Sequence, residues 1–173
     1  CHLVAHRATL MGNLPTGGAM ATLAATPEEL TDDLTTHDGY VSIAALNTPG
    51  NTVISGPADR VEAIRARWAE EGRKTRSLTV SHAFHSPLMD PILTPFTEAI
   101  SHLTYHHPTI PLISNLTGQP ANPDHITTPT YWTDHIRQPV HFHPAITHTT
   151  PTTHTYLELG PDPTLTTATQ HTL

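Results

Sequence analysis

Residues 40–74, YVSIAALNTPGNTVISGPADRVEAIRARWAEEGRK, carry the element signals that decide the fold. YVSIAAL and TVISG are strand-like runs rich in Val and Ile, and NTPGN between them is made of turn formers. The segment after them places Val61, Ile64 and Trp68 on one stripe, with Gly72 as its stop, which predicts an amphipathic helix. Upstream, GAMATLAA reads as a strand. TPEELTDDL then opens a helix, with Thr26 as N-cap, Pro27 at the first position and acids in the first turn. Downstream, TRSLTVS returns as a strand.

Residues 18–81 thus spell strand, helix, strand, strand, helix, strand, the order of a ferredoxin-like split βαβ unit. Before it, CHLVAHRATLMGNL spaces Leu3, Val4, Leu10, Met11 and Leu14 as a helix, ended by Pro15 and the Gly17-Gly18 pair. From Pro87 the character changes. LMDPILTPFTEAISHL predicts a helix, IPLISN a short buried strand, and NLTGQPANPDHITTPT a polar loop. TYWTDHI predicts a helix ending before Pro139, FHPAITHTT a weaker one, HTYLELGP a strand with its turn, and TLTTATQ a last helix. Strands alternating with helices favour a parallel sheet. The expected division is 1–16, 17–81 and 82–173, with the middle segment as an inserted small subdomain.

Composition narrows the function classes. The 173 residues carry 8 Lys and Arg against 15 Asp and Glu, a net charge of -7, with a bias to Thr, Pro and His. That balance argues against nucleic acid as a partner. No apolar run approaches the ~20 residues of a membrane span, and no signal-peptide pattern opens the chain, so a soluble, cytoplasmic protein is expected. The single cysteine, Cys1, excludes an internal disulfide framework. Cys1 also stands where an initiator methionine would, and the chain is read as a piece of a longer one.

The 15 histidines raise the question of metal. HAFH offers His82 and His85, HLTYHH offers His102, His106 and His107, and HFH offers His141 and His143. A zinc site wants three or four donors at characteristic spacings. Residues three apart on a strand point to opposite faces, and HLTYHH has no carboxylate beside it, so no metal site is assigned. His85 is different, because it stands where an apolar run gives way to Pro87 and a loop begins. A histidine there could serve as general base to a hydroxyl nucleophile. Ser81 and Ser86 are badly placed in sequence to be that nucleophile, and the residues alone leave His85 open between a base and an ordinary loop histidine.

Six motifs in one order resemble a single family. HRATLMGNLPTGGAMATL, SIAALNTPGNTVISGP, TRSLTVSHAFHSPLMDP, IPLISNLTGQP, YWTDHIRQPVHF and YLELGPDPTL look like the acyltransferase domain of modular type I polyketide synthases. The resemblance spans nearly the whole chain. It implies an α/β fold: the C-terminal part of an α/β-hydrolase-like large subdomain, of the malonyl-CoA:acyl carrier protein transacylase type, with the ferredoxin-like small subdomain inserted.

Roles follow from the resemblance position by position. A serine in a G-H-S-x-G elbow takes an acyl group from coenzyme A and passes it to the phosphopantetheine thiol of an acyl carrier protein. His85 corresponds to the catalytic base. Arg7 corresponds to the residue that pairs with the free carboxylate of the extender unit, for which a planar fork of donors is suited; its plain alternative is a solvated helix residue. HAFH resembles members that take malonyl units, whereas Y-A-S-H marks those that take methylmalonyl, so Phe84 would fill the space of the extra methyl and His82 would form pocket wall. Asn47 and His135 resemble positions near the active site. His135 is expected to orient the catalytic histidine through its backbone carbonyl, and the plain readings are a turn asparagine and a helix-end histidine.

One departure accompanies these matches: no G-H-S-x-G occurs in the sequence. The expectation is therefore a chain holding base, clamp and specificity loop without the nucleophile, inactive when isolated, with no cofactor or metal of its own. Its partners would be malonyl-CoA, an acyl carrier protein, and the flanking ketosynthase and other synthase domains. The alternative is a non-catalytic module that docks a carrier protein or those flanking domains.

Overall fold

The structure is a computed structural model that describes residues 1–37, 39–153, 155–160 and 162–173. Helix α1 (His2–Gly12) leads into β1 (Gly18–Leu23), α2 (Thr31–Thr36), β2 (Ser42–Thr48), β3 (Asn51–Pro57), α3 (Ala58–Glu70) and β4 (Thr75–Ser77). A 3-10 turn at Pro87–Met89 opens α4 (Asp90–Ile100), followed by β5 (Ile113–Ser114) and β6 (Gln119–Pro120). The last four helices are α5 (Pro123–Ile126), α6 (Pro129–Arg137), α7 (Phe142–Thr149) and α8 (Thr164–Thr172).

The strands of residues 18–77 form an antiparallel sheet in the order β2-β3-β1-β4. Its two faces are covered differently, as the alternation of side chains requires. Ala21 and Leu23 of β1 and Ile54 of β3 join Leu30, Val61, Ile64 and Trp68 in a core under α2 and α3. Met20 and Val53, one residue out of phase, pack with Ala44 on the opposite face, against which Phe84 lies. A third cluster joins Met11 and Leu14 to Met89, Ile92, Phe96, Ile100 and Ile136, and Phe84 packs against this one as well. Fully burying a side chain such as Phe96, Ile100 or Ile136 contributes roughly 1.5–3 kcal/mol. The HAFH segment is therefore held between the sheet and the α1, α4, α6 bundle.

Several expectations need correction. The helix expected from Thr26 begins at Thr31. Thr26 and Glu29 do make a reciprocal capping pair, at 2.8 and 3.4 Å, but it closes a tighter turn in which Leu30 and Thr31 donate to the carbonyls of Pro27 and Glu28. Asn47 is no turn residue: Pro49 and Gly50 make the turn, and Asn47 lies within β2. There the ladder slips twice, between Ile43 and Ala45 and between Leu46 and Thr48, so Ala44 and Asn47 are bulged. The TRSLTVS strand keeps only Thr75–Ser77, plus one further bond from the Leu78 N–H to the Met20 carbonyl.

The parallel sheet expected after residue 110 is absent among the described residues. IPLISN pairs only through Ile113 and Ser114, antiparallel to β6, and Ile110 and Leu112 are exposed. Residues 155–160 form no strand, and Leu157 and Leu159 are 80% and 89% exposed. An alternating apolar run is a strand only when a neighbour supplies its ladder, and none of the described residues does. His154 and Pro161 of that expected strand lie outside the described residues. The polar loop 115–130 is instead organised into β6, α5 and the start of α6, with Asn122 and Thr128 as N-caps. Among the described residues the one parallel contact is an isolated bridge between Ala45 and Val140.

Candidate active site

The loop between β4 and the 3-10 turn owes its shape to three local features. His85 has φ +60°, the left-handed region that L residues other than Asn, Asp and Gly seldom enter, at a cost of roughly 1–2 kcal/mol. The fully buried Ser86 offsets that cost: its hydroxyl donates to the Ala83 carbonyl at 2.7 Å and accepts from the Leu88 N–H at 3.3 Å, capping the 3-10 turn. Gly18, at the start of β1, lets the loop approach, since a Cβ there would stand 2.6 Å from the Ala83 Cβ and 2.8 Å from its nitrogen. Sequence reasoning treated Gly18 as a helix stop; the structure gives it a second task.

His85 is half-buried, and its Nδ1 lies 2.8 Å from the backbone oxygen of Gln138. A carbonyl only accepts, so Nδ1 carries the proton and the Nε2 lone pair is left free. Burial is the main cause that pulls its pKa down to about 4, the charges of Arg7 and His135 add to the fall, and the Gln138 bond opposes it. At neutral pH the ring is an unprotonated, oriented base.

The carbonyl that orients His85 belongs to Gln138, not His135, which corrects the expectation. Helix α6 ends at Arg137, and the extended backbone at Gln138 turns its carbonyl away from the helix ladder. Nothing in the Gln138 side chain could have announced this, although Pro139 marks the place where helical bonding must stop. The His135 side chain turns instead to Arg7, whose Nη1 lies 3.2 Å from His135 Nδ1. Arg7 only donates, so this nitrogen accepts. His135 is held below its ordinary pKa, first by burial and then by the charge of Arg7.

Arg7 projects from α1 and is itself half-buried, and burial lowers its pKa. Among the described residues it has no carboxylate partner, as is also true of Arg60 and Arg76, whereas Arg65, Arg67, Arg73 and Arg137 each pair with an acid; Arg60 lies instead over the Tyr40 ring, and Arg76 is exposed. A half-buried cation left without a counter-ion is a place prepared for an anion. His82 is buried and donates from Nε2 to the Leu14 carbonyl at 3.0 Å, tying the loop to the end of α1. The Phe84 ring stands 6.2 Å from that of His82, centroid to centroid. Among the described residues Asn47 itself makes no hydrogen bond to this group; its neighbour Leu46 donates to the Val140 carbonyl at 2.9 Å, and Val140 donates to Ala44 at 2.8 Å.

Arg7, His85 and His135 are therefore brought together, His82 and Phe84 form the adjoining wall, and Asn47 lies on the neighbouring strand. Among the described residues no group of three or more His, Cys, Asp or Glu is placed to hold a metal ion. Likewise none of the described helices is long and apolar enough to cross a membrane.

Comparison with known proteins gives these contacts a context. The acyl transferase domain family matches residues 1–173. The spectinabilin polyketide synthase system protein NorB of Streptomyces orinoci is 40% identical over 174 residues, which cover 100% of this chain and 8% of that protein. The acyltransferase domain from the second module of the salinomycin polyketide synthase superposes with a TM-score of 0.94 at 45% identity, covering 100% of this chain and 41% of that one. A malonyl CoA-acyl carrier protein transacylase from Burkholderia pseudomallei gives a TM-score of 0.87 at 29% identity, over 98% of this chain and 60% of that one. The chain thus spans 41% of the solved salinomycin synthase chain that it matches and 8% of the NorB protein. With a family match over its full length and these relatives, the chain belongs to the acyl transferase domain family, in the form carried by modular type I polyketide synthases.

Proposed function

We propose that this chain supplies the base, the carboxylate clamp and the specificity wall of an acyltransferase domain that moves malonyl units from coenzyme A to an acyl carrier protein. The observation that carries the reading is the half-buried Arg7, unpaired with any described acid and placed beside a neutral, oriented His85. An extender unit with a free carboxylate would be gripped by the planar fork of Arg7, through charge-assisted bonds that a simple acyl group cannot make.

In the proposed cycle, His85 Nε2 takes the proton of a serine hydroxyl as its oxygen attacks the thioester carbonyl. The C–S bond breaks, the coenzyme A sulfur leaves, and it receives the proton from the imidazolium. The malonyl-serine ester then meets the phosphopantetheine thiol of the carrier protein; His85 accepts the thiol proton and returns it to the serine oxygen. The Gln138 carbonyl keeps the ring in the tautomer that both half-reactions need. The sequence contains no G-H-S-x-G, so the serine is assigned to the remainder of the domain, and the chain alone is proposed to be inactive. Phe84, packed between two apolar clusters, is proposed to occupy the space that a 2-methyl group would need. The strand order β2-β3-β1-β4 and its β-α-β-β-α-β sequence support a ferredoxin-like small subdomain inserted into an α/β-hydrolase-like one. The flanking ketosynthase and other domains are its proposed neighbours, in the cytoplasm.

The test is the complete acyltransferase domain, mixed with equal malonyl- and methylmalonyl-CoA and read by intact mass. A malonyl adduct, lost in His85→Ala and weakened in Arg7→Ala, is expected. No adduct from a folded domain would overturn the reading and favour a docking module.

A further inference from the structure

The Arg7–His135 contact is a bond between a carboxylate clamp and a histidine that has no assigned chemistry. We infer that His135 is the positioning residue of the clamp: its Nδ1 accepts one Nη1–H of Arg7 and so aims the remaining donors of the guanidinium at the extender carboxylate. This rests on the reading of Arg7 as the carboxylate-binding group.

Three observations support it. The Nη1–Nδ1 distance of 3.2 Å joins residues 128 apart in sequence, so the bond fixes α1 against α6 at the point where the clamp is needed. Nδ1 can accept only while it is unprotonated, and burial together with the Arg7 charge shifts the His135 ring toward that form. The ring cannot easily swing away: it lies against Tyr131 and Trp132 of its own helix, each with centroids 6.2 Å distant. The Trp132 indole is anchored by a bond to the Ile126 carbonyl at 3.0 Å, and the Tyr131 hydroxyl by a 2.7 Å contact with Ser114. An arginine side chain carries several freely turning bonds, and one fixed donor removes most of that freedom before substrate arrives. The benefit is preorganisation, so it belongs to binding of the carboxylate more than to the chemical step.

The experiment uses the complete acyltransferase domain in three variants, with malonyl-CoA and acetyl-CoA as paired probes. His135→Phe keeps a ring of similar size beside Tyr131 and Trp132 but offers no acceptor. His135→Asn keeps an acceptor, since its Oδ1 occupies nearly the place of Nδ1. Arg7→Ala removes the clamp itself. The expected result is a KM for malonyl-CoA raised about tenfold in His135→Phe, the size of one lost hydrogen bond to a charged group, with kcat within about twofold. His135→Asn should restore KM to within about threefold, and acetyl-CoA, which has no free carboxylate, should show no KM difference between His135→Phe and His135→Asn.

A general packing defect would instead slow both substrates and would not be rescued by Asn. If Arg7→Ala raises the malonyl KM and His135→Phe does not, the positioning role is wrong and the clamp stands. If Arg7→Ala leaves malonyl and acetyl transfer unchanged in proportion, the reading of the clamp fails with it. Should His135→Phe not fold, His135→Leu is measured against His135→Asn by the same ratio.

Discussion

Keeping His85 unprotonated should carry acylation far into acid. Its pKa falls from 6.5 to about 4, with burial as the leading cause. At pH 5 an imidazole of ordinary pKa is about 3% unprotonated, whereas one with a pKa near 4 is about 90% unprotonated, so the working base is about thirtyfold more abundant. The assay is rapid-quench acylation of the complete domain by malonyl-CoA from pH 4 to 8, followed as kcat/KM. A profile level down to about pH 5 that bends near 4 is expected. A tenfold loss per pH unit beginning near 6.5 would refute the argument, for it would mean that burial and the neighbouring charges do not govern the ring. Nitrogen NMR of labelled histidines, with His85→Gln to identify the signal, gives the same pKa without turnover. Stability must follow the same linkage. Below pH 6.5 the unfolded chain takes up a proton at His85 that the folded chain refuses until about pH 4. Folding stability is full above 6.5 and is lost as pH falls through that window, by about 2 kcal/mol after allowing for the part exposure of the ring.

Phe84→Ser should raise the ratio of methylmalonyl to malonyl transfer by about 5- to 150-fold, the range that one methyl group commands, measured by competition and intact mass. Because Phe84 also packs against two apolar clusters, the same variant should lose about 2 kcal/mol in urea denaturation. Ser86→Ala leaves the Ala83 carbonyl without its donor and the 3-10 turn without its cap, so a loss of about 1–2 kcal/mol is expected, again by urea denaturation. Gly18→Ala drives a methyl against the Ala83 backbone, and the loop must retreat. The acylation rate should fall by at least about tenfold while far-ultraviolet circular dichroism stays unchanged, since misplacing a catalytic group by ~1 Å costs up to a hundredfold.

What could be read from the sequence was whatever is local. Val61, Ile64 and Trp68 announce α3 because a helix face repeats within the helix itself, and these three side chains are the ones it buries. Thr26 and Glu29 announced a cap correctly, but the same signal serves a tight turn as well as a helix, and so the start of α2 was misplaced. Asn47 was misread because a bulge leaves no compositional trace beside NTPG. The strand expected in HTYLELGP shows the same limit from the other side: among its described residues Leu157 and Leu159 alternate properly, yet pairing is a property of two segments. At the site, Arg7 and His135 were named by the family resemblance alone, and His85 by its place before a loop together with that resemblance; the structure brings the three together. Their connections were not legible, because the Gln138 carbonyl and the Arg7–His135 bond arise only when α1, α6 and the loop meet.

Among the described residues, the short run from Gln138 to His141 makes its hydrogen bonds through main chain. The Gln138 carbonyl holds His85, Val140 exchanges two bonds with β2, and the His141 N–H reaches the Asn115 carbonyl at 2.7 Å. Side chains at positions 138 and 140 can therefore be exchanged by point mutation with little consequence for these bonds. A codon gained or lost between Arg137 and Asn115's partner His141 is a different event, because it would move three attachments by one residue at once. These bonds constrain the length of the run more tightly than the side chains at 138 and 140.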